Sequence, residues 1–289
     1  MKIPLKEKIK LITPPVFIHV ARWLWSGRKS HIEWEYIPEG WAYAETHPEV
    51  KGWNVLDVLE IYKKKWPKFV AIVKGPGPLG ISHESSLTTN EDINSHNEIM
   101  AFAYVIALAA RHKDRISMLD WGGGIGHYYL LAQTLLPGVE IDYHCKDVPV
   151  LCEHGTKLFP RQHFYTDERC FERTYDFVMA SASLHYTEDW QTLLQRLAGA
   201  TSGYLYIANL PSVQEAASFV FVQRPYQYGY NTEYLSWCIN RTEFLQTAER
   251  AGMKLVREFV YGYRPFIHGA PEQNAYRGYL FRVHSKGGV

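Results

Sequence analysis

The sequence predicts an α/β protein: a doubly wound, mostly parallel sheet of seven strands with an antiparallel edge strand, preceded by an aromatic cap. Three observations predict it. Short apolar runs alternate with stretches of helical periodicity over residues 97–251, the pattern of a sheet whose crossovers are helices. The first of those runs ends directly in the glycine-rich bend Asp120-Trp121-Gly122-Gly123-Gly124-Ile125-Gly126. The last two runs, 253–261 and 276–284, follow one another without a helical stretch between them, as antiparallel neighbours do.

Residues 1–30 are a basic amphipathic leader. Lys2, Lys6, Lys8 and Lys10 precede Pro14-Pro15 and an apolar stretch carrying Trp23 and Trp25. The two prolines interrupt that stretch and no small-residue cleavage site follows, so it is not read as a signal peptide. A basic, Trp-bearing segment suits peripheral contact with a membrane surface; it equally suits packing on its own domain or on a partner chain. Residues 31–94 form a cap region rich in Trp, Pro, Gly and charge, with one short helix expected over 57–65.

Residues 95–289 form the regular domain. A helix is expected over 97–111, apolar on most faces. A buried strand over 115–120 runs into the glycine bend, and a helix over 127–135 stops at Pro137-Gly138. The strand 139–146 places Val139, Ile141, Tyr143 and Cys145 on one face. A helix over 150–158, strands over 163–166 and 175–182, a helix over 190–200 and a strand over 204–210 follow. An aromatic insertion spans 211–238, then a helix over 241–251 leads to the closing strand pair.

Composition narrows the partners. A net charge of +1 provides no global field to gather nucleic acid. Cys145, Cys152, Cys170 and Cys238 form no Cys-x-x-Cys pair and no metal-ligand spacing with histidine. They predict reduced, mostly buried thiols in a cytoplasmic protein; any peripheral contact at the inner membrane face is expected of the leader. No run reaches the ~18 apolar residues of a bilayer span.

The glycine bend has a definite physical task. Gly122 and Gly124 remove side chains where the backbone turns sharply and approaches a ligand. Gly126 permits close packing at the start of a helix whose free amides favour negative charge. A dinucleotide fingerprint is Gly-x-Gly-x-x-Gly; here the third glycine comes one residue earlier and His127 holds the dinucleotide position. Asp147 follows the strand 139–146, where a carboxylate can grip both hydroxyls of a ribose or cap the helix that Pro149 opens. Its rival Asp142 lies mid-strand. Thr166-Asp167, after the next strand, meets an adenine amino group or simply forms a turn.

Together, Leu119 to Gly126, Asp147-Val148-Pro149, Tyr175 to Ser181 and Ser183-Leu184-His185-Tyr186 resemble class I S-adenosylmethionine (SAM)-dependent methyltransferases. More narrowly, residues 30–285 resemble a poorly characterised bacterial methyltransferase family associated with surface-polysaccharide gene clusters. That likeness shows in Tyr36-Ile37-Pro38-Glu39-Gly40-Trp41, Ser95-His96-Asn97-Glu98 and Trp121-Gly122-Gly123-Gly124. The resemblance implies a Rossmann-like fold, SAM as cofactor, and methyl transfer to a hydroxyl of a saccharide or glycolipid precursor in polysaccharide biosynthesis. It implies that Asp120, Gly122, Gly123, Gly124 and Gly126 hold the methionine end, with Asp120 taking the amino group directly or through water. It further implies that Asp147 and the adjoining Val148 hold the ribose, and that Ser181 and Ser183 border the methyl group. One departure stands out: many class members carry an acid just after the fourth strand, where this chain has Ala182. A metal-dependent catechol-type mechanism is therefore not expected, and no metal is predicted.

Methyl transfer is an in-line displacement, and positioning supplies most of its acceleration. A hydroxyl acceptor also needs a base, usually histidine. His185 leads, on the side of the sheet where open α/β folds bind ligands; the other reading has it packing beneath the cofactor. His96 and Glu98 are the second candidates, against a simpler role in a helix start capped by Ser95 or Asn97. His127 reaches the cofactor side or solvent. Tyr186 and, in the insertion, Arg224, Tyr228 and Tyr230 are expected to line the acceptor, with an ordered loop or a homodimer contact as the alternative. Two rival functions stay open: a small-molecule O- or N-methyltransferase of secondary metabolism, and a SAM-fold binding protein without turnover.

Overall fold

The computed structural model describes residues 32–81 and 91–284; the leader, with the membrane contact expected of it, lies outside them. Ten strands and seven α-helices run in chain order through the described residues. They are β1 (Trp34–Tyr36), α1 (Tyr43–Thr46), α2 (Leu56–Lys74), α3 (Ile93–Ala110), β2 (Arg115–Trp121), α4 (His127–Leu135), β3 (Glu140–Lys146) and α5 (Pro149–Leu158). After these come β4 (His163–Tyr165), β5 (Tyr175–Ser181), α6 (Trp190–Gly199), β6 (Thr201–Val213), β7 (Phe219–Gln223), β8 (Tyr234–Asn240), α7 (Arg241–Arg250), β9 (Met253–Val260) and β10 (Ala275–Val283).

The central strands are apolar on both sides because both faces are covered. Alternate residues of β5 separate accordingly. Phe177 and Met179 join Phe102, Ile106 and Leu130 beneath α3 and α4, while Val178 and Ala180 join Trp190, Leu194 and Phe244 beneath α6 and α7. Each large apolar side chain fully buried in these layers contributes about 1.5–3 kcal/mol, which is why the alternation in the sequence fixes the layers.

The parallel strands run β4-β3-β2-β5-β6, and β10 lies antiparallel between β6 and β9. The antiparallel strand thus sits one place in from the edge, with β9 outermost. These seven strands are the expected sheet, curled and mostly parallel. Three more extend it: β8 pairs with the far end of β6, β7 with β8, and β1 with β7. The segment 211–238, expected as an insertion, therefore contributes two strands to the sheet. Its runs Phe219-Val220-Phe221-Val222 and Tyr234-Leu235-Ser236-Trp237 are β-formers that pair with each other, and the first also pairs with β1, nearly two hundred residues upstream.

Strand β6 is where the sheet forks. Its first part pairs with β5 as far as Ser181↔Ala208, and only its last two residues pair with β8, as Ser212↔Ile239 and Val213↔Asn240. Between them the register with β10 jumps from Tyr279↔Ile207 to Arg277↔Leu210, so that Ala208 and Asn209 together face Gly278. This is a β-bulge, a local device that bends a strand and re-aims a side chain.

Two helix expectations change. The short helix of the cap is the 19-residue α2, which passes through Pro67. Proline removes a helical hydrogen bond, but Phe69 and Val73 beyond it are buried in the core beside α3, and that burial carries the helix on. Helix α3 begins at Ile93, not 97, because Asp92 is the cap, its Oδ1 accepting from the Ser95 amide at 2.7 Å.

Candidate functional site

A cavity of about 590 Å³ opens at the carboxyl ends of β2, β3, β5 and β6. At one end Gly122, Gly123 and Gly124 present bare backbone to it, with Asp147 and Val148 beside them. The geometry explains the glycines. Gly122 has φ +75°, and a Cβ on it would lie 2.3 Å from the Ser183 Cβ, so both conformation and close approach demand glycine. A Cβ on Gly126 would lie 2.8 Å from the Phe159 ring, the close packing expected of that position.

Asp147 lines the cavity at the end of β3. Its Oδ2 accepts from the Gly124 amide at 2.7 Å and its Oδ1 from the Val148 amide at 2.6 Å. Burial raises its pKa above the usual carboxylate range, and the two amide bonds work against that rise. Each oxygen keeps lone-pair capacity for a further donor. A bare glycine bend, the amino end of α4 and a buried carboxylate one strand away fit the carboxylate and ribose of a nucleoside-bearing amino acid such as SAM.

Asp120 is placed differently from the expectation. It does not line the cavity: it is buried beneath Gly123, and its Oδ2 accepts from the Tyr143 hydroxyl at 2.7 Å. Burial pushes its carboxyl up to about 7. Its place is under the bend, as a support.

Thr166 and Asp167 fall outside the cavity altogether. The Asp167 carboxylate is exposed, caps the short turn Glu168–Glu172 and pairs with Arg169 at 2.9 Å. β4 ends at Tyr165, level with Lys146 at the end of β3, and the chain then turns into the capped segment Glu168–Glu172.

At the other end of the cavity, Ser181 and Ser183 line the wall after β5. The Ser183 hydroxyl donates to the Trp121 carbonyl at 2.7 Å, and Ser181 shares a 2.9 Å hydrogen bond with the Tyr128 hydroxyl. His185 sits on the turn Leu184–Tyr186 and also lines the cavity, although only 1 % of it is exposed. Neither ring nitrogen has a hydrogen-bond partner among the described residues. Burial alone pulls its pKa down to about 3, so the ring is neutral at physiological pH and offers a lone pair. Tyr186 lines the cavity too and donates to Gln223 Oε1 at 3.2 Å.

Glu98 and His127 both reach the cavity. Glu98 accepts from Asn209 Nδ2 at 3.1 Å, while His127 is largely enclosed by the rings of Tyr62, Trp66 and Phe69. His96 does not reach it: the early start of α3 turns it toward the Leu79 amide, which donates to its Nδ1 at 3.3 Å. Of the insertion residues, Tyr228 lines the cavity and the other two do not. The Arg224 guanidinium is engaged by Glu35 at 2.7 Å and Glu233 at 3.2 Å, which ties β7 to β1. Tyr230 is 1 % exposed and packs on Trp53.

Sequence reasoning missed Asn209, Gln223, Trp53 and Tyr276 in this wall. Asn209 had a signal: it is the one amide in the apolar run Tyr204-Leu205-Tyr206-Ile207-Ala208-Asn209-Leu210.

A second hollow of about 530 Å³ lies at the amino ends of β2 and β3, away from the glycine bend. Beside it Asp142, His144 and His163 bring donor atoms within 4.8 Å of one another. Asp142 there already pairs with Arg115 at 3.5 Å and Arg173 at 3.4 Å, and two guanidinium charges repel a further cation.

The strand order β4-β3-β2-β5-β6-β10-β9, with a glycine bend after β2 and a carboxylate after β3, defines a Rossmann-like methyltransferase fold. Residues 95–258 match a family model described as a methyltransferase domain. The match takes in more than half of the chain, and the protein belongs to that family: it is a SAM-dependent methyltransferase. No curated protein matches the chain.

Solved structures resemble the chain at low identity. Magnesium protoporphyrin IX methyltransferase from Synechocystis, with bound SAM, is 13 % identical over 78 % of this chain and 97 % of its own, with a TM-score of 0.45. A SAM-dependent methyltransferase from Clostridium acetobutylicum is 10 % identical over 75 % and 98 %, with a TM-score of 0.46. The 1,6-didemethyltoxoflavin-N1-methyltransferase of Burkholderia thailandensis is 16 % identical over 66 % and 81 %, with a TM-score of 0.43.

Proposed function

We propose that this methyltransferase acts on a hydroxyl of a saccharide or glycolipid precursor, and that His185 receives the proton. The observation that carries the proposal is the make-up of the cavity beyond Ser181. Flat aromatic faces (Trp53, Tyr228, Tyr276) share that wall with polar side chains, among them Glu98, Asn209 and Gln223. Aromatic faces take the apolar side of a sugar ring and acceptors take its hydroxyls. A wall for a flat aromatic acceptor would need fewer such groups.

In this reading SAM supplies an activated methyl group. The glycine bend and Asp147 hold its two polar ends, and Ser181 and Ser183 border the reacting carbon. The acceptor hydroxyl would lie against His185, whose neutral ring would take the proton at a ring nitrogen as the methyl carbon bonds to oxygen and parts from sulfur, which leaves as the thioether S-adenosylhomocysteine. A base whose pKa is held low by burial is weak before reaction. Most of the acceleration is therefore assigned to alignment.

The test is methyl transfer from tritiated SAM to a panel holding methyl pyranosides of glucose, galactose and mannose, catechol, a phenol and an aromatic amine. Label on a pyranoside hydroxyl is the expected result. Label confined to the phenol, the catechol or the amine would overturn the saccharide reading in favour of small-molecule chemistry.

A further inference from the structure

The amino-acid end of SAM carries two opposite charges on one carbon, a carboxylate and an ammonium. Backbone amides of the glycine bend and the start of α4 suit the carboxylate, but as donors they offer the ammonium nothing. Asp120, expected to take that group, is buried beneath Gly123 and does not line the cavity. Among the described residues three other carboxylates do line it: Asp92, Glu98 and Asp147. Asp147 stands on the ribose side, at the end of β3, and Asp92 is engaged as the cap of α3.

Several contacts set Glu98 beside the start of α4. Its Oε2 accepts from Asn209 Nδ2 at 3.1 Å, and the same nitrogen lies 3.4 Å from Ser181 Oγ. Ser181 Oγ in turn shares a 2.9 Å hydrogen bond with the hydroxyl of Tyr128, the second residue of α4. Four residues along α3 from Glu98, the Phe102 ring packs on the Tyr128 ring at 4.8 Å. Burial first, and the Glu98 charge second, raise the Tyr128 hydroxyl well above its usual pKa, as a nearby carboxylate does. Glu98, Tyr128, Ser181 and Asn209 all line the cavity. A carboxylate offers about four lone-pair sites, so the bond from Asn209 leaves capacity for an ammonium.

We infer that Glu98 is the carboxylate that receives the ammonium of SAM, while the glycine bend takes the carboxylate on the same carbon. The cofactor's amino acid is then gripped from two elements, α3 on one side and the bend after β2 on the other. This moves Glu98 from proton removal, the role suggested by its sequence position, to cofactor binding. The assignment needs only the cofactor and is independent of the saccharide reading; Gln223 and the aromatic faces stay with the acceptor. A charge-assisted hydrogen bond is roughly twice as strong as a neutral one, so a ligand lacking the amino group forfeits affinity at this point alone.

The test titrates two ligands calorimetrically into the full chain: S-adenosylhomocysteine, and its analogue with hydrogen in place of the amino group. Wild type is expected to prefer S-adenosylhomocysteine by about tenfold or more. Glu98→Gln should weaken S-adenosylhomocysteine by a similar factor and bind the analogue within about twofold of wild type, so that the preference collapses. Unchanged binding of the analogue also shows that the variant is folded. Asp120→Asn should keep the preference, even where it weakens both ligands. Equal binding of the two ligands by wild type overturns the assignment. So does a preference that survives in Glu98→Gln, including one in which both ligands weaken alike, which would make Glu98 a support of the wall. A preference lost in Asp120→Asn and kept in Glu98→Gln returns the ammonium to Asp120. None of these outcomes touches the saccharide reading, which stands or falls on the acceptor panel.

Discussion

The two ends of the cavity are built on different principles. The end near β2 and β3 is more regular: bare glycine backbone and a carboxylate anchored by two amides, although Asp120 Oδ1 beneath the bend also has no partner among the described residues. The end near β5 and β6 is irregular. Ala182 and Asn209 hold φ values of +47° and +52°, β6 bulges, and His185 is buried without a partner among the described residues. Left-handed backbone and orphaned polar atoms each cost free energy, and they persist where binding or chemistry requires them. The regular end suits a ligand shared by a whole enzyme class. The irregular end suits one particular acceptor.

The sharpest way to break this contrast is at His185. His185→Ala should lower kcat by roughly 100-fold and leave S-adenosylhomocysteine affinity unchanged by calorimetry. Normal turnover would reduce His185 to packing and weaken the claim that the irregular end is chemical. With burial holding the imidazole near 3, the wild-type rate should also show no acid limb from this group down to about pH 5.

Next in size, Asp147→Ala should weaken S-adenosylhomocysteine binding by about 30- to 100-fold, since it removes a charged partner of Gly124 as well as the proposed ribose contact. The protein should stay folded by circular dichroism. Unchanged affinity would remove Asp147 from the site.

The smallest effect on function is expected at Arg224. Arg224→Met should cost about 2–4 kcal/mol of stability, because Glu233 is left buried without its cation. Acceptor KM should move by less than about twofold, as the guanidinium does not reach the cavity. A large KM change with normal stability would return Arg224 to the acceptor wall.

The difference between the two ends also governs what the sequence disclosed. The glycine bend, Asp147, and the strands and helices from 115 to 199 were legible, because each follows from local periodicity and from one glycine pattern. The cap helix was read too short because Pro67 looks like a stop, and long-range burial of Phe69 and Val73 overrode it. At Thr166-Asp167 the turn-forming alternative describes the placement, since Asp167 caps the segment Glu168–Glu172 and pairs with Arg169. The wing of β1, β7 and β8 and the bulge at Asn209 stayed hidden because both depend on register between distant segments, which no local pattern encodes.

The three residues of β1 have a consequence out of proportion to their length. By pairing Trp34↔Gln223, Glu35↔Val222 and Tyr36↔Phe221 they close a sheet margin made of Phe219-Val220-Phe221-Val222-Gln223. Left open, so uncharged and β-prone a margin is a template for adding strands from other molecules. Trimming the chain to the stretch shared with its family, from residue 95, would uncover that margin. Such a shortened protein would also lack α2, whose Phe69 and Val73 fill the core, so it would lose stability as well as solubility.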